Sequence, residues 1–135
     1  GALVAVAERS GKQDEPTLGV ILGGPKPGLF KVARHDGYDI TDLAFLPSGD
    51  MLLLERWYQP LRGVGMRIRR IAGRDLKAGA LLDGTYLIEA DLGFEIDNME
   101  GLSVHIEDGR TILTLISDDN FSFLQRTLLL EFELA

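Results

Sequence analysis

The sequence predicts an all-β fold of repeated antiparallel hairpins, two or three blades of a β-propeller. Three observations predict it. Short apolar runs alternate with Gly, Asp and Pro turns at spacings of roughly 8–12 residues. No segment sustains a helical period beyond a turn or two, because Gly73, Gly79 and Gly84 interrupt the one candidate, Arg74 to Leu82. One hairpin pattern occurs twice.

The elements follow in order. Leu3 to Ala7 is a short apolar run ending in Glu8-Arg9, expected to be the last strand of a preceding copy. Thr17 to Leu22 and Gly28 to Ala33 flank the breaker-rich loop Gly23-Gly24-Pro25-Lys26-Pro27-Gly28. Ile40 to Leu46 and Asp50 to Arg56 are joined through Pro47-Ser48-Gly49, a hairpin signal. Gly65 to Ile71 sets Met66 and Ile68 on one face and Arg67 and Arg69 on the other. Thr85 to Leu92 follows an Asp83-Gly84 turn, and Leu102 to Ile106 meets Thr111 to Ser117 through Asp108-Gly109. Thr127 to Leu134 alternates Leu128, Leu130, Phe132 and Leu134 with Thr127, Leu129, Glu131 and Glu133, the period of a half-buried strand.

The repeat pairs Thr41 to Arg56 with Met99 to Asp118. Its acid-led starts, Asp42 and Glu100, lie 58 residues apart, somewhat beyond the roughly 40–50 residues of common blades. Two or three blades do not close a ring of about four to eight. The chain is therefore expected to be part of a larger ring, or to pair with a second copy through open sheet edges.

Composition narrows the functions. A net charge of -7 disfavours nucleic acid and anionic membranes. The absence of cysteine excludes disulfides, zinc-thiolate sites and thiol nucleophiles. No run approaches the roughly 18 apolar residues of a membrane helix. The first seven residues lack the basic start and cleavage pattern of a signal peptide, and read as a strand inside a larger protein.

Polar residues end the repeated strands: Glu8-Arg9, Glu55-Arg56 and Ser117-Asp118. In a ring such ends gather at one mouth with Asp42 and Glu100. The carboxylates of Glu55, Glu100 and Asp118 would then serve as acid and base or hold a cation, and Arg9 and Arg56 would grip phosphate. The competing reading is a set of solvated ion pairs. Ser117-Asp118-Asp119-Asn120-Phe121-Ser122 suits a tight turn, yet also offers oxygen ligands for Ca²⁺ or Mg²⁺. Glu95 to Glu100 is a second acidic stretch, with a cap or a site role for Glu100. His35 and His105 are expected to be solvated. A triad of Ser117 or Ser122 with His105 and Asp118 lacks a nucleophile elbow. Trp57-Tyr58 is placed in packing or at a rim, with pocket lining as the alternative. No phosphate-binding glycine loop is present.

Leu115 to Leu129, containing Ser117-Asp118-Asp119-Asn120-Phe121 and Gln125-Arg126-Thr127, resembles the C-terminal signature of the phytase-like domain, "esterase-like activity of phytase". Members typically read Ser-Asp-Asn-Asn-Phe, then Gln-Arg-Thr. Glu100-Gly101-Leu102 resembles that family's blade start, and Leu54-Glu55-Arg56 its strand end. Asp119 replaces the usual Asn and Phe123 the usual Pro. The resemblance makes residues 1–135 one all-β unit, the C-terminal portion of a larger domain. It implies a β-propeller, export to the periplasm or beyond the cell, and phosphoester or ester hydrolysis of a small substrate; the acidic residues themselves add a divalent cation such as Ca²⁺ as an assistant. Carried over by position, the site residues are Glu55, Arg56, Glu100, Asp118, Asn120 and Arg126; read from the residues alone, Asp118, Asp119 and Glu100 are the candidates for the metal. A site shared around the ring would be incomplete in this length of chain. The alternative is a non-catalytic propeller that binds a protein or small ligand.

Overall fold

The structure is a computed structural model describing residues 2–8, 15–59, 61, 63–93, 98–118 and 129–134. Among these the chain forms eleven strands and one 3-10 turn: β1 (Ala2–Val6), β2 (Thr17–Gly23), β3 (Gly28–Val32), β4 (Asp39–Phe45), β5 (Met51–Gln59), β6 (Gly63–Ile71), the turn (Gly73–Asp75), β7 (Leu81–Leu82), β8 (Thr85–Gly93), β9 (Asn98–Glu107), β10 (Arg110–Asp118) and β11 (Leu129–Leu134). The fold is all-β, as the turn spacing and two-residue periods predict.

Three sheets form: a first sheet β1-β2-β3-β7, a central sheet β4-β5-β6-β8, and a last sheet β9-β10-β11. All pairings are antiparallel except the short β3–β7 ladder. Residues 72–84 leave the central sheet after β6, run along the first sheet and return as β8. Ala33 N–H bonds Leu82 O at 2.7 Å and Gly79 N–H bonds Leu29 O at 2.7 Å, stitching the excursion to β3.

The central sheet packs on both faces. One face sets Leu52, Leu54, Met66 and Ile68 against Leu102, Leu113 and Leu115 of the last sheet. The other sets Met51, Leu53 and Ile71 against Ile21, Phe30, Val32 and Leu82 of the first. A strand buried on both faces gains from apolar residues at every position, which is why β5 opens Met51-Leu52-Leu53-Leu54. Each such side chain stabilises by about 1.5–3 kcal/mol on burial. Gly19 lies opposite Phe30 in the ladder. A Cβ there would come within 2.2 Å of the Phe30 ring, so the glycine gives the ring its seat.

The two halves of the repeat are the β4–β5 and β9–β10 hairpins, at adjacent inner edges. Asp42 joins them: Oδ1 accepts Leu43 N–H at 2.8 Å and Oδ2 accepts Leu102 N–H at 2.7 Å. Its carboxylate is thus occupied in tying β4 to β9. The expectation that Ala2 to Arg9 ends a preceding copy is corrected, because β1 pairs with β2 and belongs to the first sheet. It runs in the same sense as β3, and β3 reverses into β4, so β1 runs opposite to β4. Their ends meet where Ile40 N–H donates to Glu8 O at 3.3 Å.

Candidate functional site

The face of the central sheet toward the first sheet changes character along its length. On β5 the alternate positions Met51, Leu53, Glu55 and Trp57 share that face; on β6 the partners of Glu55 and Leu53 are Arg67 and Arg69. The strands of the first sheet are shorter than β5 and β6, so they cover only the apolar end. The connector 33–38 covers the middle, and the far end opens to solvent.

Glu55 is fully buried at 0% exposure. Arg67 Nε donates to its Oε1 at 3.2 Å, and Arg69 Nη2 to its Oε2 at 3.0 Å. Both arginines are equally enclosed. Removing charge from water costs several kcal/mol per ion in order of magnitude, so partners for the remaining donors offset much of that cost. Arg69 Nη1 donates to Ala33 O at 2.7 Å and to Asp83 O at 3.1 Å. Arg67 Nη2 donates to His35 O at 3.0 Å and Nη1 to Asp36 Oδ2 at 3.3 Å. Arg69 Nε is buried without a partner.

The arginines therefore anchor the connector. Asp36 and Gly37 take left-handed backbone angles, φ 60° and 71°, which turn the chain sharply. Tyr38 N–H closes the turn onto His35 O at 3.2 Å. Arg34 holds the far side, donating from Nε to Tyr38 O and pairing with Asp39. The turn lays the Tyr38 ring over the Arg67 guanidinium, 3.8 Å from its centroid, and Tyr86 of β8 stacks at 4.3 Å. Such cation–aromatic contacts are worth about 2 kcal/mol when desolvated. Burial pushes the Tyr38 phenol up, against the opposing pull of Arg67; burial likewise raises Tyr86. Tyr38 thus stays a protonated donor at neutral pH.

Beyond this ionic cluster lies a pocket of about 460 Å³, lined by Asp36, Tyr38, Trp57, Gly65, Arg67, Glu89, Ala90 and Asp91. Arg67 forms its floor, Tyr38 and Trp57 its walls, and three carboxylates its rim. Gly65 keeps it open: a Cβ there would sit 2.9 Å from Tyr38 Oη and 3.4 Å from the Trp57 ring. Glu89 lies opposite Arg67 in the β6–β8 ladder and Asp91 opposite Gly65, which places both at the mouth.

The sequence candidates separate. Glu55 sits beneath the pocket, enclosed by guanidiniums. Arg56 is half-buried, and its register partner is Asp39. Glu100 and Asp118 are placed by backbone at the start of β9 and the end of β10. The expectation that Glu55-Arg56 ends a strand is corrected: β5 continues through Trp57 and Tyr58 to Gln59, because β6 pairs with it over that whole length, so both residues lie mid-strand, whereas Asp118 does close β10. Arg9, Asp119, Asn120 and Arg126 lie outside the described residues. Among the described residues no three His, Asp or Glu side chains are grouped to hold a metal ion. Ser117 is buried at the last sheet's counterpart of Glu55, whereas His105 is exposed beside Glu107. His35 pairs with Asp83 at 2.9 Å on the surface. Trp57 lines the pocket.

Sequence reasoning missed Arg67, Asp36, Tyr38, Glu89 and Asp91 as one constellation. A signal existed: arginines alternating on a strand bounded by fully covered strands must be buried. The acid that closes the Met51-to-Leu54 run is the one placed to neutralise them.

A family model described as phytase-like, "Esterase-like activity of phytase", matches residues 1–121. No curated protein and no solved structure matches the chain. At family level the match carries a hydrolase-type function. With that match over most of its length, the chain belongs to the phytase-like family.

Proposed function

We propose that this chain contributes the substrate pocket of an exported hydrolase that prefers carboxylic esters to phosphomonoesters, with the site between Tyr38, Trp57 and the rim carboxylates. The pocket carries this reading: three acids surround an arginine that is sealed from solvent. A phosphate dianion entering it would meet like charge, and among the described residues the lining offers no exposed guanidinium to offset that repulsion. An uncharged ester meets aromatic walls that accept its apolar part.

Asp36, Glu89 or Asp91 takes the proton of an attacking water, the carbonyl carbon gains the hydroxyl, and the alkoxide leaves with a proton. The Tyr38 phenol, on the pocket wall, donates to the developing oxyanion. Arg67 holds Asp36 and the connector in place, and Glu55 holds Arg67, so both are positioning residues. The pocket is built from the central sheet and its connector alone, so the chain itself can be assayed. A cation held by Asp118, Asp119 and Glu100 is a separate part of the proposal, and no step here is routed through it.

The test is hydrolysis of nitrophenyl butyrate, nitrophenyl phosphate and phytate by the purified chain, with and without Ca²⁺ and chelator. The ester is expected to turn over fastest. Asp36→Asn with Glu89→Gln and Asp91→Asn should lower kcat/KM by about 10²-fold or more, and Gly65→Val should raise KM by blocking entry. Unchanged rates in both variants would overturn the site. A rate lost with chelator and with Glu100→Ala plus Asp118→Ala, but not with the rim variants, would move the chemistry to those strand ends.

One observation favours a second reading, a binding module. Among the described residues the lining holds no Ser or His to act as nucleophile or base. An absence of turnover across the ester panel, with saturable binding of an ester analogue quenching Trp57, would support it.

A further inference from the structure

The outward face of the first sheet is apolar. Val4, Val6, Ile21, Phe30, Val32 and Leu82 face the central sheet, and the alternate positions Leu3, Leu18, Leu22, Leu29 and Leu81 project the other way. All five are exposed, Leu3 by 73% and Leu29 by 64%. Leu3 lies directly opposite Leu22, and Leu81 opposite Lys31, so the residues form one patch with a single lysine in it. A contiguous patch of leucines on a sheet face marks an interaction surface.

The outward face of the last sheet has matching chemistry. Ile116 and Leu129 are directly paired there and exposed, and Glu131 and Glu133 continue the row toward the far end of β11. We propose that the outward face of the first sheet stacks on the outward face of the last sheet of a second copy. Its leucines cover Ile116 and Leu129, and Lys31 meets Glu131, beside which Glu133 is already paired with Arg110 at 3.7 Å. The contact repeats the sheet-on-sheet stacking already used twice inside the chain. It joins two different surfaces, so it must either close or grow into a filament. The three sheets among the described residues make six in a pair of copies, within the about four to eight of closed rings. The contact is thus between sheet faces rather than between strand edges.

Sedimentation of the full chain tests this, and the result bears on assembly alone, apart from the pocket assays. The expected species is a dimer of 14.8 kDa chains. Leu18→Glu with Leu29→Glu should give monomer with an unchanged β circular-dichroism spectrum. Lys31→Glu alone, or Glu131→Lys alone, should raise the dimer dissociation constant about tenfold or more. Combining the two in one chain should restore it. A monomer at all concentrations up to about 200 μM, open-ended polymers, or a dimer indifferent to these exposed substitutions would each overturn the proposal, as would a dimer that the combined charge reversal fails to restore.

Discussion

The two faces of the central sheet use alternate residues of the same strands and end differently. Toward the last sheet, Leu52, Leu54, Met66 and Ile68 meet another full-length sheet and stay apolar. Toward the first sheet, Met51 and Leu53 give way to Glu55, Arg67 and Arg69, and then to a pocket. The difference lies in the cover. β1 to β3 span five to seven residues where β5 and β6 span nine. The uncovered length needs groups that can reach a connector's carbonyls, and arginines do so. Site formation here follows from a mismatch in strand length.

The comparison breaks most sharply at Glu55. Glu55→Ala leaves two guanidiniums facing one another in a dry interior, and is expected to cost about 3–5 kcal/mol. Thermal denaturation should register roughly 10–20 °C of that. Replacing Glu55, Arg67 and Arg69 together with leucines should recover most of the stability, yet free Ala33, His35 and Asp36 of their anchors. Faster amide exchange across 33–38 in that triple variant, with exchange in β9 and β10 unchanged, is the companion measurement. A Glu55→Ala protein as stable as the parent would mean the cluster is solvated and the burial argument fails.

On the opposite face, Leu54→Ala opens a cavity in an apolar core and should cost about 2–5 kcal/mol. Its signature separates it from Glu55: the loss should be indifferent to salt and pH, since no charge is uncovered. Asp42→Ala removes the acceptor of Leu102 N–H and should cost about 1.5–3 kcal/mol. Exchange should quicken first at the start of β9, because Asp42 is the polar tie between β4 and β9. An effect confined to β4 would show that the carboxylate serves only its own strand.

How much of this was legible in the sequence differs between the faces. The alternation of β11, the Asp108-Gly109 hairpin and the paired repeats depend on local periods and turn chemistry, which a single sequence carries. The split of Met66 and Ile68 from Arg67 and Arg69 was equally legible. That the arginine face is buried was not, because burial depends on what another sheet and a six-residue connector place over it. Glu55 was marked as a site residue for its strand-end position, but its partners on β6 depend on the register between strands. Asp42 was marked as one of the acids at a common mouth. Its tie to Leu102, sixty residues on, follows from the stacking of hairpins that the repeat implied. Asp36, Tyr38, Glu89 and Asp91 carry no motif, and only the folded connector and the β6–β8 ladder gather them.

The smallest expected effect gives the scale for buried charge, by setting a half-buried, solvent-reached ion pair of the same sheet beside it. Asp50 accepts Gly73 N–H at 2.8 Å and pairs with Arg70 at 2.8 Å. The Gly73 N–H, then Arg70, hold its carboxyl below the ordinary value of 3.8. A carboxyl depressed on folding contributes stability above its unfolded value, and that contribution drains away as pH falls through the lower folded value. Asp50→Asn should therefore melt slightly below the parent at pH 7, with the gap closing in acid below the ordinary value. Added salt should shrink the gap as well, since solvent screens this pair. The Glu55→Ala deficit should persist in high salt, because counterions do not reach a carboxylate enclosed by Arg67 and Arg69. If salt erased both deficits alike, the interior of the first-sheet interface would be wet, and the pocket beyond it would have no sealed floor.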